Sequence, residues 1–314
     1  MRSLPVPLIL SVWYESPPAN RGTAGSHGKR AWCVYNGSNT EAFSQPSVCP
    51  QQRRASMNYL VLFKMIPDTV EELELSDDQK SLNTEYLRYK LSDADEHALE
   101  QALILKERHG GQVTVAALDA PEVDDVLFTA IAKGADVVVK IALDQTKLDT
   151  RATAQAMAAW IKASNLVGGQ TLVMPGAQAI DDLGGELGAW LAEELQLPFI
   201  GVVSSVKLDD NCSKALVLKE FSSGLRGEFE VPLPAILGIQ SAEKPPRYVP
   251  VAKVRMAMKT AKIQSVEVAA PPVTGLAIER MFKPEVAGHA EMLEGTPDEV
   301  AEKLAGILAE RGII

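Results

Sequence analysis

The stretch that decides the fold is residues 112–142, QVTVAALDAPEVDDVLFTAIAKGADVVVKIA. It begins with a continuous apolar run of strand length, and Pro121 then opens a helix. The apolar residues of that helix recur at intervals of three and four until Gly134. A second apolar strand follows from Asp136. A strand, a helix and a strand in this order predict parallel strands joined by a crossover helix.

The same alternation continues on both sides of this unit. Further strands are predicted at Tyr59–Lys64, Tyr86–Lys90, Thr171–Met174 and Phe199–Val206, and further helices at Ser92–Arg108, Arg151–Ser164 and Glu186–Leu195. The fold class predicted is therefore α/β and Rossmann-like, with a mostly parallel sheet covered by helices on both faces.

The chain becomes strand-rich and then proline-rich after Lys214. Ala215–Phe221, Gly227–Val231 and Ala235–Gln240 predict a hairpin-like antiparallel edge. Residues 241–297 contain many prolines and predict an extended arm. Thr296-Pro-Asp-Glu299 is a capping box that starts a last helix. The helix carries one apolar stripe, formed by Val300, Leu304, Ile307 and Leu308. The sequence leaves open whether this stripe packs against its own domain or against a partner subunit.

Composition excludes several classes of protein. The chain has 31 Lys and Arg against 41 Asp and Glu, a formal charge of −10, and 46% apolar residues. An acidic surface argues against nucleic-acid binding, and no run approaches the roughly 20 apolar residues that span a bilayer. The three cysteines and four histidines are scattered without the spacing of a disulfide framework or a metal site. The sequence also has no GxSxG elbow, which disfavours hydrolase chemistry.

Residues 1–56 differ from the rest of the chain. They contain six basic and two acidic residues, so they carry +4 while the remainder carries −14. We expect a disordered or spurious extension before Met57, although an acid-poor leader is also compatible with an organelle transit peptide. The expected compartment is the bacterial type of cytoplasm, or the mitochondrial matrix if residues 1–56 are a transit peptide. The domain boundaries expected are 1–56, 57–245 for the Rossmann-like domain and 246–314 for the arm.

The candidate binding site is the loop Pro175–Gly188. Ligands of open α/β sheets bind beyond the carboxyl ends of the strands, and this loop leaves a strand there and enters a helix near Gly184. Its glycines and the free N–H groups of the helix start favour a phosphate. The alternative is that Gly184, Gly185 and Gly188 only permit close helix-to-sheet packing. Elsewhere, His97 is interpreted as a solvated surface residue.

Residues 57 to about 259 resemble the beta subunit of electron transfer flavoprotein. The matching stretches, in order, are Asp95-Glu-His-Ala-Leu-Glu-Gln-Ala-Leu-Ile-Leu-Lys-Glu107, Leu127-Phe-Thr-Ala-Ile-Ala-Lys-Gly-Ala-Asp136, Gln178-Ala-Ile-Asp-Asp182, Pro234-Ala-Ile-Leu237, Pro246-Arg-Tyr248 and Ala257-Met-Lys259. The resemblance implies an adenine nucleotide alpha-hydrolase-like domain that forms a heterodimer with an alpha subunit. It also implies that the chain is a subunit of an electron carrier and is not itself an enzyme.

The resemblance also implies cofactors and partners. FAD is expected to be held by or shared with the alpha subunit, with AMP or a second FAD in the beta subunit. A dehydrogenase for acyl-CoA or another substrate is the expected electron donor, and the arm is expected to clasp the alpha subunit. The alternative function is a stand-alone adenine-nucleotide-binding module of the stress-protein type without a redox role. A scaffold subunit that keeps only the interface is a third reading.

Site residues carry over by position. The cofactor-binding positions implied are Phe63, Ser92, Leu118, Gly176, Gln178, Asp181, Gly184, Gly185, Glu186, Leu187 and Gly188, and the partner-docking positions are Arg247, Tyr248, Val251 and Lys259. Several depart from the family pattern. Gly185-Glu-Leu-Gly188 stands where the family has Asn-Gln-Thr-Gly, Ser92-Asp93 replaces Asn-Pro, and Val251-Ala252 replaces Leu-Pro. Glu186 puts a carboxylate in the first helical turn, where it repels a phosphate if it points at one.

Overall fold

The computed structural model describes residues 57–182, 184–274, 278–283 and 292–314. The predictions for residues 1–56 lie outside the described residues. The described chain forms two compact units, the first from residues 57–72 and 84–274 and the second from residues 73–83, 278–283 and 292–314. The described helices contain none that is both long and apolar enough to cross a membrane.

The first unit alternates strands and helices as predicted. Its strands are β1 (Asn58–Phe63), β2 (Met65–Pro67), β3 (Tyr89–Leu91), β4 (Gln112–Asp119), β5 (Val137–Asp144), β6 (Thr171–Pro175), β7 (Phe199–Leu208), β8 (Lys214–Glu220), β9 (Arg226–Pro232), β10 (Ala235–Ile239) and β11 (Gln264–Val266). Its α-helices are α1 (Asp93–His109), α2 (Val123–Lys133), α3 (Thr150–Ala163), α4 (Leu187–Leu195) and α5 (Val251–Thr260).

The sheet is mostly parallel, which confirms the predicted fold class. Nine strands lie in the order β11-β5-β4-β1-β6-β10-β7-β8-β9, and β2 pairs with β3 separately. From β1 the chain passes to β4 and β5 on one side, and β6 then returns to the other side of β1. The strand order therefore reverses between β1 and β6, and the ends of these two strands form the switch point where ligands bind in such sheets.

Alternate residues of β1 enter two separate cores. Tyr59, Val61 and Phe63 pack with apolar residues of α1 and α2 on one face of the sheet. Leu60 and Leu62 pack with residues of α3 and α4 on the other face. Because successive side chains of a strand point to opposite faces, a strand that is apolar throughout requires helices on both sides.

The predicted antiparallel edge is correct for two of its three strands. β8 pairs antiparallel with β7 and with β9, as expected from the turn residues between them. The prediction is wrong for β10, which lies between β6 and β7 and is parallel to both. The reason is burial, since all five residues of Ala-Ile-Leu-Gly-Ile are buried, the pattern of a central strand covered on both faces.

The segment after Gln240 is more structured than the predicted arm. Helix α5 packs against α2, and the short β11 pairs parallel with the outer strand β5. These elements were not predicted, because a three-residue strand and a ten-residue helix are too short to give a clear periodic pattern. The many prolines of the segment favoured an extended chain instead.

The second unit contains the last helix, α6 (Pro297–Glu310). The capping box is confirmed, since the Thr296 hydroxyl accepts the N–H of Glu299 at 3.4 Å and the Thr296 N–H donates to the Glu299 carboxylate at 2.9 Å. In the same unit the Met281 N–H donates to the carbonyl of Gln79 at 2.6 Å. Every residue of α6 stays at least partly exposed, with Leu304 of the apolar stripe 48% exposed.

Candidate functional site

A cavity lies beside the antiparallel β2–β3 pair, the start of α1 and the carboxyl end of β6. Its volume is about 560 Å³, within the range of small-molecule sites. The lining residues come from the end of β2, from the end of β3 and the start of α1, from the loop after β6, and from the residue after β10: Ile66, Thr69, Lys90, Ser92, Asp93, Ala94, His97, Gln178, Ala179, Ile180 and Gln240.

Two of the predicted site residues line this cavity. Ser92 follows β3, and its N–H donates to the Lys64 carbonyl at 3.1 Å, which joins the β3 end to the β1 end. Gln178 donates an amide hydrogen to the Asp182 carbonyl at 2.9 Å, which closes the loop after β6 on itself. These bonds hold the walls of the cavity before any ligand arrives.

Phe63 and Leu118 are placed differently from the loop residues. Both side chains are fully buried, Phe63 in the core beneath α1 and Leu118 in the core beneath α3. Phe63 ends β1, as predicted, whereas Leu118 is the last but one residue of the neighbouring β4, which ends at Asp119. Because both side chains are buried, only their backbone groups can reach a ligand. Their side chains support the strand ends from within.

The start of α4 is covered by the acid that precedes it, since Glu186 is the N-cap residue and the helix begins at Leu187. A Cβ atom on Gly184 would lie 2.8 Å from the Glu186 carboxylate, so that side chain folds back over Gly184. The indole N–H of Trp190 donates to Glu186 at 3.2 Å, and the Arg151 guanidinium lies 4.7 Å above the indole ring. A negative charge therefore occupies the helix start where the sequence predicts a bound phosphate.

The glycines before α4 serve different purposes. Gly185 has a left-handed φ of +62°, and a Cβ there would lie 2.8 Å from the Ala177 carbonyl. Gly188 lies against the Phe199 ring, where a Cβ would come within 2.5 Å. Gly188 therefore permits close packing of the helix on the sheet, one of the two roles predicted for these glycines. Gly185 is required instead by the left-handed conformation of the turn. Leu187 is the first residue of α4.

Lys64 and Asp181 form an ion pair over the ends of β1 and β6. The ammonium nitrogen lies 2.8 Å from a carboxylate oxygen, and both side chains are partly exposed. This pair ties the loop after β6 to the first strand. The ammonium group that contacts the predicted phosphate loop therefore already has an acidic partner.

Asp95 is the site residue that the sequence reasoning missed. Asp95 is 4% exposed, and its carboxylate accepts two backbone N–H groups, from Lys64 at 2.8 Å and from Gly176 at 2.7 Å. Burial raises the pKa of Asp95 to about 7, although these two hydrogen bonds oppose the rise. A signal was present, because Asp95 stands one helical turn before the buried Leu99 and so lies on the buried face of α1.

The predicted docking residues divide into two groups. Arg247 is engaged within the domain, where its guanidinium pairs with Glu100 and with Glu107, both at 2.8 Å. Tyr248 is 84% exposed and Val251 is 61% exposed, and Lys259 is also exposed. The exposed group lies on or just before α5, which presents a mixed apolar and basic surface.

A doubly wound, mostly parallel sheet with helices on both faces places the chain in the class of Rossmann-like domains, in which the switch point is the usual position of a ligand site. Among the described residues, no group of three or more His, Cys, Asp or Glu is arranged to hold a metal ion.

Comparison with known proteins identifies a family within this class of fold. The family model of the electron transfer flavoprotein domain matches residues 80–271. Subunit CarD of the caffeyl-CoA reductase-Etf complex of Acetobacterium woodii is 31% identical over 274 residues, which cover 82% of this chain and 100% of that protein. The electron transfer flavoprotein beta subunit of Methylophilus methylotrophus is 29% identical over 266 residues, which cover 81% of this chain and 98% of that protein.

A third relative gives the same result. The beta subunit of Clostridium acetobutylicum is 30% identical over 268 residues, covering 82% of this chain and 100% of that protein. The chain therefore belongs to the electron transfer flavoprotein family and to its beta subunits. The family match does not favour the stand-alone stress-protein alternative.

Proposed function

We propose that this chain is the beta half of an electron-carrying heterodimer and that its crevice at the switch point binds an adenine nucleotide. The observation that carries the proposal is the cavity between the start of α1 and the loop Gln178–Ile180, in a chain of this family. The chain then contributes binding and shape, and a flavin held with the alpha subunit supplies the redox chemistry when it is bound.

The residues of the crevice fit a nucleotide. The cavity of about 560 Å³ is large enough for a purine nucleoside. Ser92 and Gln178 offer a hydroxyl and an amide to base or ribose, and Lys90 and His97 add N–H donors to the same walls. Ile66 and Ile180 provide apolar walls for a planar ring. FAD and AMP share the adenosine part that these residues fit.

His97 is held in one orientation by its backbone partner. The Ala242 N–H lies 3.2 Å from Nδ1 of His97 and donates to it. When Nδ1 accepts a hydrogen bond, the neutral ring carries its proton on Nε2. The ring therefore offers an N–H donor to the crevice, a role that the solvated-surface interpretation of this histidine did not include.

Two surfaces are proposed to meet protein partners. Within residues 246–314, the arm expected from the sequence, we assign the part that follows α5 to contact with an alpha subunit. The exposed Tyr248, Val251 and Met256 on α5 and just before it are proposed to contact the electron-donating dehydrogenase. Exposed apolar residues grouped on one short helix favour a protein contact over solvent.

The proposal is tested by the small molecules that leave the purified protein. We expect the chain, co-expressed with its alpha subunit and denatured, to release a flavin together with about one adenine nucleotide per heterodimer, identified by mass. Release of flavin alone contradicts nucleotide binding in the crevice. Failure of the two chains to copurify contradicts the beta-subunit assignment itself.

The acid at the start of α4 gives a prediction of its own. Glu186→Gln should tighten AMP binding about fivefold, because a carboxylate near a phosphate costs roughly 1 kcal/mol at a partly hydrated site. The matched control is Glu193→Gln, an exposed acid farther along the same helix, which should leave the Kd unchanged. Titration calorimetry measures both. An unchanged Kd in Glu186→Gln contradicts a phosphate at the first turn of α4.

A further inference from the structure

Asp95 joins the two strand ends that form the switch point. Oδ2 of its carboxylate accepts the N–H of Lys64, directly after β1, and Oδ1 accepts the N–H of Gly176, directly after β6. The distances of 2.8 and 2.7 Å are those of strong hydrogen bonds to a charged acceptor. One side chain of α1 thus sets the spacing between β1 and β6 at their carboxyl ends.

The bridge is tightly enclosed. A Cβ on Gly176 would overlap Oδ1 of Asp95 and would lie 2.9 Å from Cβ of Ala94. Gln178, a lining residue of the crevice, follows Gly176 by two positions, and Ala94 is itself a lining residue. A shift of Gly176 away from Asp95 therefore changes the separation between these two walls of the crevice.

We propose that Asp95 is a positioning residue for the nucleotide crevice and that only its ionised form holds the crevice in the binding geometry. An ionised carboxylate supplies an acceptor to each of the two N–H groups. A protonated carboxyl turns one oxygen into a donor, so one backbone N–H loses its partner and one strand end is released. The inference rests on the proposed nucleotide-binding function of the same crevice.

The groups around Asp95 put this change near neutral pH. Burial raises the pKa of Asp95 to about 7, against the hydrogen bonds from Lys64 and Gly176, with the Lys64 ammonium lowering it and the Asp181 carboxylate raising it. Asp93, Glu96 and His97 stand in the first turns of the same helix, and Lys90 pairs with Asp93 at 3.7 Å. Because the bridge needs the charged form, nucleotide affinity should fall as the pH falls from 8 to 6.

The test uses Asp95→Asn, which imitates the protonated acid by presenting one acceptor and one donor. With AMP as the probe and the full chain as the protein, the Kd of the variant should exceed that of the wild type about tenfold at pH 8, since hydrogen bonds to charged groups are the stronger ones. At pH 6 the two values should converge. The phosphate of AMP titrates near pH 6 itself, but its effect cancels in the ratio of the two Kd values.

The control is Asp125→Asn, which removes an exposed acid from the first turn of α2 and should give a ratio of one at both pH values. A ratio for Asp95→Asn that is constant across pH means a merely structural role and overturns the proposal. If neither the wild type nor Asp95→Asn binds AMP, the proposed nucleotide-binding function fails. The NMR amide resonances of Lys64 and Gly176 then still test whether the ionised Asp95 carboxylate joins the two strand ends. We expect them to titrate together near pH 7 in the wild type and not in Asp95→Asn.

Discussion

Replacing Arg247 with leucine should lower the free energy of unfolding by about 3 kcal/mol, because it strands a buried carboxylate. Glu100 is 4% exposed and accepts four hydrogen bonds from Arg247, one from its backbone N–H at 3.0 Å and three from the guanidinium at 2.8, 2.9 and 3.2 Å. Burial alone raises the pKa of Glu100, but these bonds and the charge of Arg247 outweigh it and hold that pKa below its ordinary value.

The lowered pKa of Glu100 determines how the stability difference depends on pH. A carboxyl whose folded-state pKa lies below 4.5 stabilises the fold above that pH and loses its contribution as the pH falls through the folded value. The difference in stability between the wild type and Arg247→Leu should therefore shrink in acid. Urea unfolding followed by circular dichroism at pH 7 and pH 4 measures it.

Two further variants separate the buried pair from general effects of charge removal. Arg255→Leu removes an exposed cation from α5 and should change stability by less than about 0.5 kcal/mol. The double variant Glu100→Leu with Arg247→Leu should recover most of the loss, because no buried charge remains. Equal losses for Arg247→Leu and Arg255→Leu contradict the argument.

The same pair limits what Arg247 can do at an interface. The residue was predicted to dock a partner, yet its guanidinium is bound to Glu100 and Glu107 of α1. Together with the bond from the Glu243 N–H to Gln101 at 3.1 Å, it fastens the segment before α5 onto α1. Arg247 therefore orients the exposed Tyr248 and Val251, and these two are the better candidates for direct contact.

Much of the fold follows from local sequence. The βαβ unit at residues 112–142 and the start of α6 at Thr296 depend on spacings and caps within a few residues, so both could be predicted. The position of β10 could not, because parallel pairing with β6 and β7 depends on contacts far apart in the chain. A short turn before β10 suggested a hairpin, and only burial on both faces shows otherwise.

The candidate site shows the same division. The rule for open α/β sheets indicates the loop Pro175–Gly188, and Gln178 indeed lines the cavity there. The sequence pattern does not predict the direction in which a side chain points. Glu186, for example, folds over Gly184 and accepts a hydrogen bond from Trp190. The neighbours of Asp95 along the chain indicate only that it lies on the buried face of α1, because its partners Lys64 and Gly176 are far away in the sequence.

Gly176→Ala should destabilise the protein by about 3 kcal/mol and abolish AMP binding, because the added methyl group has no room. Its Cβ would overlap Oδ1 of Asp95 and would lie 3.0 Å from the backbone nitrogen of the same residue. The backbone of α1 cannot give way as a flexible side chain does, so the loop after β6 must move. Thermal unfolding and titration calorimetry with AMP measure the two effects.

Gly168→Ala is the matched control, since Gly168 lies three residues before β6 and Gly176 directly follows the same strand. A Cβ there has no neighbour within 4 Å, so stability should change by less than about 0.5 kcal/mol. The double variant Gly176→Ala with Asp95→Asn should be only slightly less stable than Gly176→Ala, because both changes break the same bridge. Fully additive losses would show that Gly176 and Asp95 act separately, and the strand ends would then need another tie.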